Sequence, residues 1–176
     1  PYAIPTLRDV LDWAVSHNVI LELDKKQSAS LADTIAEVRA AGAENNVVMI
    51  TYSLNQAGQV ARLAPELMMT ASVNAPRDID TLLERGVKAE NLIAWTGTDT
   101  LDPALWAAAS QRGVEVAFGT LGRRGERLDD TFWADRNGAE YDQLAADGVD
   151  LIATDYSDRV TRSLKADDDA ISACGL

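Results

Sequence analysis

The chain has 176 residues, 47% hydrophobic and 25% charged, and its 16 Lys and Arg stand against 28 Asp and Glu, a net charge of -12. That length suits one domain with a real core, and the ordinary composition excludes disorder and fibrous repeats. The acidity excludes a nucleic-acid partner, whose backbone needs a basic footprint, argues against an anionic membrane surface, and admits an anionic substrate chiefly through an intervening metal cation.

The sequence opens on Pro1 rather than Met and reads as cut from something longer, so the lack of a leader leaves periplasmic, secreted and cytoplasmic locations all open. Pro5-Thr6 starts a helix marked by Leu7, Val10, Leu11 and Ala14. His17, the only histidine, falls at its C-terminus, where a favourable dipole contact is the plain reading. Six short β-branched or apolar runs follow: 19–24, 47–53, 67–73, 91–97, 114–120 and 149–155. Most are separated by apolar residues at helical spacing, such as Leu31, Ile35 and Val38. Gly42, Gly86, Gly113 and Gly148 each close a helical pattern shortly before a strand, where a left-handed residue stops a helix. Strands joined through helices pair in parallel. Six β-α units fill this length, whereas a full (β/α)₈ barrel takes about 250 residues. The expectation is therefore an open doubly wound sheet or a barrel lacking about two units.

No glycine-rich phosphate loop follows a strand, and residues 119–125 fit neither common pattern. The segment 122–148 is the longest connection, polar with embedded aromatics; it reads as a functional excursion at one rim or as a plain surface loop. Trp13 and Trp106 are expected in helix packing, Trp95 and Trp133 in a pocket wall. Asp155 is expected to cap the helix after the last strand. No run nears the roughly 18 apolar residues of a transmembrane segment. Cys174, the single cysteine, excludes an intrachain disulfide and a Cys-rich zinc site.

The first strand carries the sharpest chemical signal. Side chains alternate faces along a strand, so Val19, Leu21 and Leu23 share one face and Ile20, Glu22, Asp24 and Lys26 the other. Two carboxylates and an ammonium on an interior face are costly to desolvate unless they bind something or pair with each other. They also lie toward the strand's C-terminal end, where α/β proteins place their sites. Such oxygens suit a hard divalent cation, Ca²⁺ or Mg²⁺, and a neighbouring Lys suits a phosphate oxygen. A solvated edge strand or a closed ion pair is the competing reading. Thr51, Ser53, Ser72, Asn74, Thr96, Thr98, Thr120 and Thr154 with Asp155 and Tyr156 lie at other strand ends; each alone reads as structural, and together they are candidates for the lining of a pocket. One badly placed histidine and no activated Ser or Cys exclude a hydrolytic triad.

The chain resembles the glycerophosphodiester phosphodiesterase family. Ile4-Pro5-Thr6-Leu7-Arg8-Asp9-Val10-Leu11 is similar to its Pro-Thr-Leu-x-x-Val-Leu helix start, and Asp24-Lys25-Lys26 to its acid-x-Lys strand. Gly148 to Asp155 is similar to its closing Gly-Val-Asp-x-Ile-x-Thr-Asp. The ordered set runs from about Ile4 to Asp158. The resemblance implies an α/β, TIM-type (β/α) barrel with six of its eight units in this chain, a single domain over residues 1–176. It implies metal-dependent cleavage of a small phosphodiester to an alcohol and glycerol phosphate, part of lipid metabolism. Asp24 would be a metal ligand and Lys26 a phosphate contact, with Glu22 the ligand if the register shifts by two. Trp95 and Thr120 are the expected substrate contacts. Where the family often has Trp-Thr-Val-Asn, this sequence reads Gly119-Thr120-Leu121-Gly122, which loses an aromatic wall. Its His-Arg-Gly, Glu-Asn-Thr, Glu-x-Asp and His-Asp segments have no counterpart, so the acid/base histidines and most ligands are expected upstream, and no catalytic residue in this chain. The chain alone is then a poor catalyst, and a missing N-terminal segment or another chain closes the barrel. The rivals are a non-catalytic barrel-like domain with a structural or ligand-binding role and, last, a lyase with Lys26 as Schiff-base amine.

Overall fold

The computed structural model describes residues 3–26 and 28–164; Cys174 lies outside them. Its first helix, α1 (Leu7–His17), begins at the expected place. Thr6 accepts from the Asp9 amide while the Asp9 carboxylate takes the Thr6 amide at 2.8 Å, a reciprocal cap that satisfies two orphan donors. All six expected strands form, each shorter than its sequence run: β1 (Leu21–Leu23), β2 (Val47–Thr51), β3 (Met68–Ser72), β4 (Leu92–Trp95), β5 (Glu115–Gly119) and β6 (Leu151–Ala153). The helices α2 (Leu31–Ala41), α3 (Leu54–Leu63), α4 (Pro76–Glu84) and α5 (Pro103–Ser110) connect them in turn. Gly42, at φ 64°, ends α2 in the left-handed conformation read from the sequence.

The six strands form one sheet in sequential order, every neighbouring pair parallel. Successive right-handed crossovers in one direction put every helix on one side. The burial confirms this. Met49, Met69, Leu92, Ala94, Val116 and Phe118 join the helix residues Leu11, Ile35, Val60, Ile79 and Trp106 in the main core. Val48, Ile93 and Ala117 form a separate cluster on the opposite face, with Met68, Trp95 and Leu151 against it. A twisted parallel sheet covered on one side curls, and the molecule is a curled half-barrel of α/β architecture.

Between β5 and β6 the long connection folds as α6 (Leu128–Phe132) and α7 (Ala139–Ala146), and α8 (Ser157–Ser163) follows β6. Trp106 is fully buried, as expected. Trp13 is not: it is 48% exposed, because α1 is the first helix of the row and the sheet does not reach that flank.

Candidate functional site

Leu21 and Leu23 pack on the main core, so Glu22 between them points to the inner face. Register sets it beside Val48, which pairs with Met68. Asp24 follows directly on β1, toward the C-terminal rim. Its Oδ2 accepts a hydrogen bond from Lys26 Nζ at 2.6 Å, and both side chains are substantially exposed. Lys26 holds the Asp24 carboxyl below the usual carboxylate range, helped by the Tyr52 hydroxyl. The same contact raises Lys26, and the carboxylate raises the Tyr52 phenol. The sequence reading passed over Tyr52; its place one residue past β2, on the parity of Val48 and Ile50, was the available signal. Lys25 turns away to cap the carbonyls of Lys26 and Ala29 at 2.9 and 2.8 Å.

Trp95 ends β4 on the inner face, paired with Ser72 and Ala117. Its indole lies across to β5: a Cβ built on Gly119 would stand 2.8 Å from Trp95 Cη2 and 2.8 Å from Thr98 Cγ2. A glycine at 119 therefore makes room for an aromatic from the neighbouring strand.

Thr120 is fully buried, on the helix-side parity of Val116 and Phe118, and its hydroxyl donates to Asp129 Oδ1 at 2.6 Å. The hydroxyl expected at the substrate is thus committed inside the fold. Asp129, itself fully buried, is a hub that sequence reasoning missed. It also accepts from Tyr141 Oη at 2.8 Å, Thr154 Oγ1 at 2.7 Å and the Asp155 amide at 2.8 Å. Burial pushes its carboxyl up, but these four donors outweigh it and hold the group below its ordinary value. Burial, with Asp129 alongside, pushes the Tyr141 phenol up. The hub ties the ends of β5 and β6 to the long connection.

Above it, Asp155 does not cap α8, whose N-cap is Tyr156. Its carboxylate takes the Arg127 guanidinium, because that cation reaches it from the long connection. Asp130 accepts from the Gly125 amide at 2.5 Å and Tyr156 Oη at 2.8 Å. The amide first, then Tyr156 and Arg127, lower Asp130 to about 2. Arg127 lies over the Tyr156 ring at 4.7 Å. Arg123 pairs with Glu126 at 3.0 Å in an exposed contact.

Glu22 and Asp24 have the hard oxygen chemistry of a divalent cation. Among the described residues, however, no three His, Cys, Asp or Glu gather into a metal-holding group. The two acids do not make a complete site by themselves.

No family model and no curated relative matches the sequence. Solved structures do match. A glycerophosphoryl diester phosphodiesterase from Parabacteroides distasonis superposes with a TM-score of 0.70 at 23% identity, over 98% of this chain and 56% of its own. A second glycerophosphodiester phosphodiesterase from that organism gives 0.61 at 15% identity, over 90% of this chain and 63% of its own. That of Agrobacterium tumefaciens gives 0.59 at 18% identity, over 90% and 62%. The curled half-barrel thus has the fold of glycerophosphodiester phosphodiesterases over rather more than half of their length.

Proposed function

We propose that residues 1–176 are a single domain supplying the last six units of a metal-dependent glycerophosphodiester phosphodiesterase barrel, which hydrolyses its substrate to an alcohol and glycerol phosphate. The observation that carries this reading is the placement of Glu22 on the inner face, with Asp24 next along toward the rim, in a fold shared with such enzymes. A Ca²⁺ or Mg²⁺ ion would be held by Glu22 and Asp24 together with groups this chain does not supply, and acid/base histidines would likewise come from elsewhere. Lys26, freed from Asp24, would meet a phosphate oxygen. Trp95 would wall the leaving alcohol, taking over the part for which position 119 has no side chain. Thr120 would shape the rim through Asp129 rather than touch substrate.

The test is hydrolysis of a glycerophosphodiester by the encoded polypeptide, assayed for glycerol phosphate with Ca²⁺ or Mg²⁺ and again with chelator. Metal-dependent release supports the reading; none under either metal contradicts it. A second reading, a non-catalytic domain, draws on one observation: the 2.6 Å Asp24–Lys26 pair occupies a carboxylate oxygen that a metal would need.

A further inference from the structure

We infer that the crevice between α2 and α3, on the helix side of β2, binds a short-chain monocarboxylate, with the carboxylate at Lys25 and Gln56 and the aliphatic chain on Leu31, Met49 and Val60. The crevice encloses about 130 Å³. Its floor is apolar: Met49 and Val60 belong to the main core, and Leu31, the first residue of α2, packs against it. Its mouth is polar, with Lys25, Gln56 and Gln59 around it.

Lys25 supplies the charge. It is half-buried, and its ammonium donates to the carbonyls of Lys26 and Ala29. An ammonium has three donors, so one is left over. Among the described residues no carboxylate pairs with it, and the neighbouring Asp24 is already closed on Lys26. A partly desolvated cation without a counter-charge favours an anion beside it. Gln56 adds direction. Its carbonyl accepts the Tyr52 amide at 2.7 Å, which leaves its NH₂ group to donate. The apolar floor selects an amphiphile over a bare oxyanion, since a phosphate would be desolvated against Leu31, Met49 and Val60 with nothing there to bond. The volume sets the length. An apolar cavity of about 150 Å³ takes a benzene-sized guest, so the chain has roughly four or five carbons. Lys25 stands between Asp24 and Lys26, and Gln56 holds the residue after β2, so the bound acid steadies the segment that carries the rim carboxylate. The inference rests on the crevice and not on phosphodiester chemistry, and a protein that hydrolyses nothing leaves it standing.

The test titrates pentanoate into the encoded polypeptide at constant ionic strength and follows amide chemical shifts. Saturable shifts are expected at Lys25, Gln56 and Gln59. Acetate, which leaves the floor empty, should bind about tenfold more weakly or worse, because it buries three fewer methylenes. Lys25→Met should weaken pentanoate by about tenfold or more, the scale of a charge-assisted hydrogen bond. The chain-length comparison needs no variant, so it decides the matter even where Lys25→Met fails to fold. Absence of saturable shifts with pentanoate overturns the inference. So does equal affinity for acetate or inorganic phosphate, which makes the crevice a plain anion contact. Equal affinity for 1-pentanol, or unchanged binding in Lys25→Met, overturns it as well, because the charge then plays no part.

Discussion

Asp129 carries the largest single-residue consequence. Replacing it with Ala strands two buried hydroxyls, a half-buried third and an amide, and the expected loss is about 3 kcal/mol by urea denaturation. Asp129→Asn keeps the shape but removes the charge that draws the donors, and should lose less. The pH dependence follows from the lowered carboxyl. A depressed folded pKa contributes stability above the unfolded value, about 3.9, and loses it as pH falls through the folded value. The gap in stability between wild type and Asp129→Asn should therefore be full near neutrality and shrink below about pH 4. Gly119→Ala forces a methyl to 2.8 Å from Trp95, with an expected cost of about 1–3 kcal/mol and an altered near-UV circular dichroism signal from the displaced indole. None of these features shows in local spacing. Asp129 joins partners at 120, 141 and 154, which only the folded chain brings together. Thr120 was misplaced for a simpler reason: its parity with Val116 and Phe118 already turned it toward the helices.

At the scale of elements, strands and helix starts were legible because they rest on local patterns. β-Branched runs gave the strands, and Pro5-Thr6 gave the start of α1, where Asp9 completes the cap. Thr6→Ala should destabilise by about 1 kcal/mol in thermal or urea unfolding, since it removes half of a reciprocal cap. Strand ends were overrun because a ladder lasts only as far as its neighbour: β1 stops at Leu23 where its pairing with β2 ends at Met49. The long connection after β5 read equally as excursion or plain loop. It folds as α6 and α7, pinned through Asp129 and through Arg127 on Asp155, contacts that lie at long sequence separation. Asp155 looked like a cap because it precedes a helix, and a cation from that connection claimed it.

For the whole molecule, alternation of strand and helix implied a parallel sheet, but the count of units against length left an open doubly wound sheet and a partial barrel both open; only the family resemblance pointed to the barrel, whose helices lie on one side. Trp13 escaped because burial of a helix flank depends on whether a neighbour exists, which periodicity within one helix does not report. The net charge of -12 acts at this scale too. Self-repulsion of that size is screened by salt, so the melting midpoint should rise between about 10 and 200 mM NaCl; a fall would show that attractive surface pairs such as Arg112–Asp80 dominate instead. The central claim is that the inward carboxylates of β1 and its rim serve a cation. Calorimetric titration of Ca²⁺ and Mg²⁺ into the encoded polypeptide, and into its Glu22→Gln/Asp24→Asn variant, tests it most directly. The account predicts saturable binding that the variant weakens by at least about tenfold; equal affinity in both proteins, or none in the wild type, would contradict it.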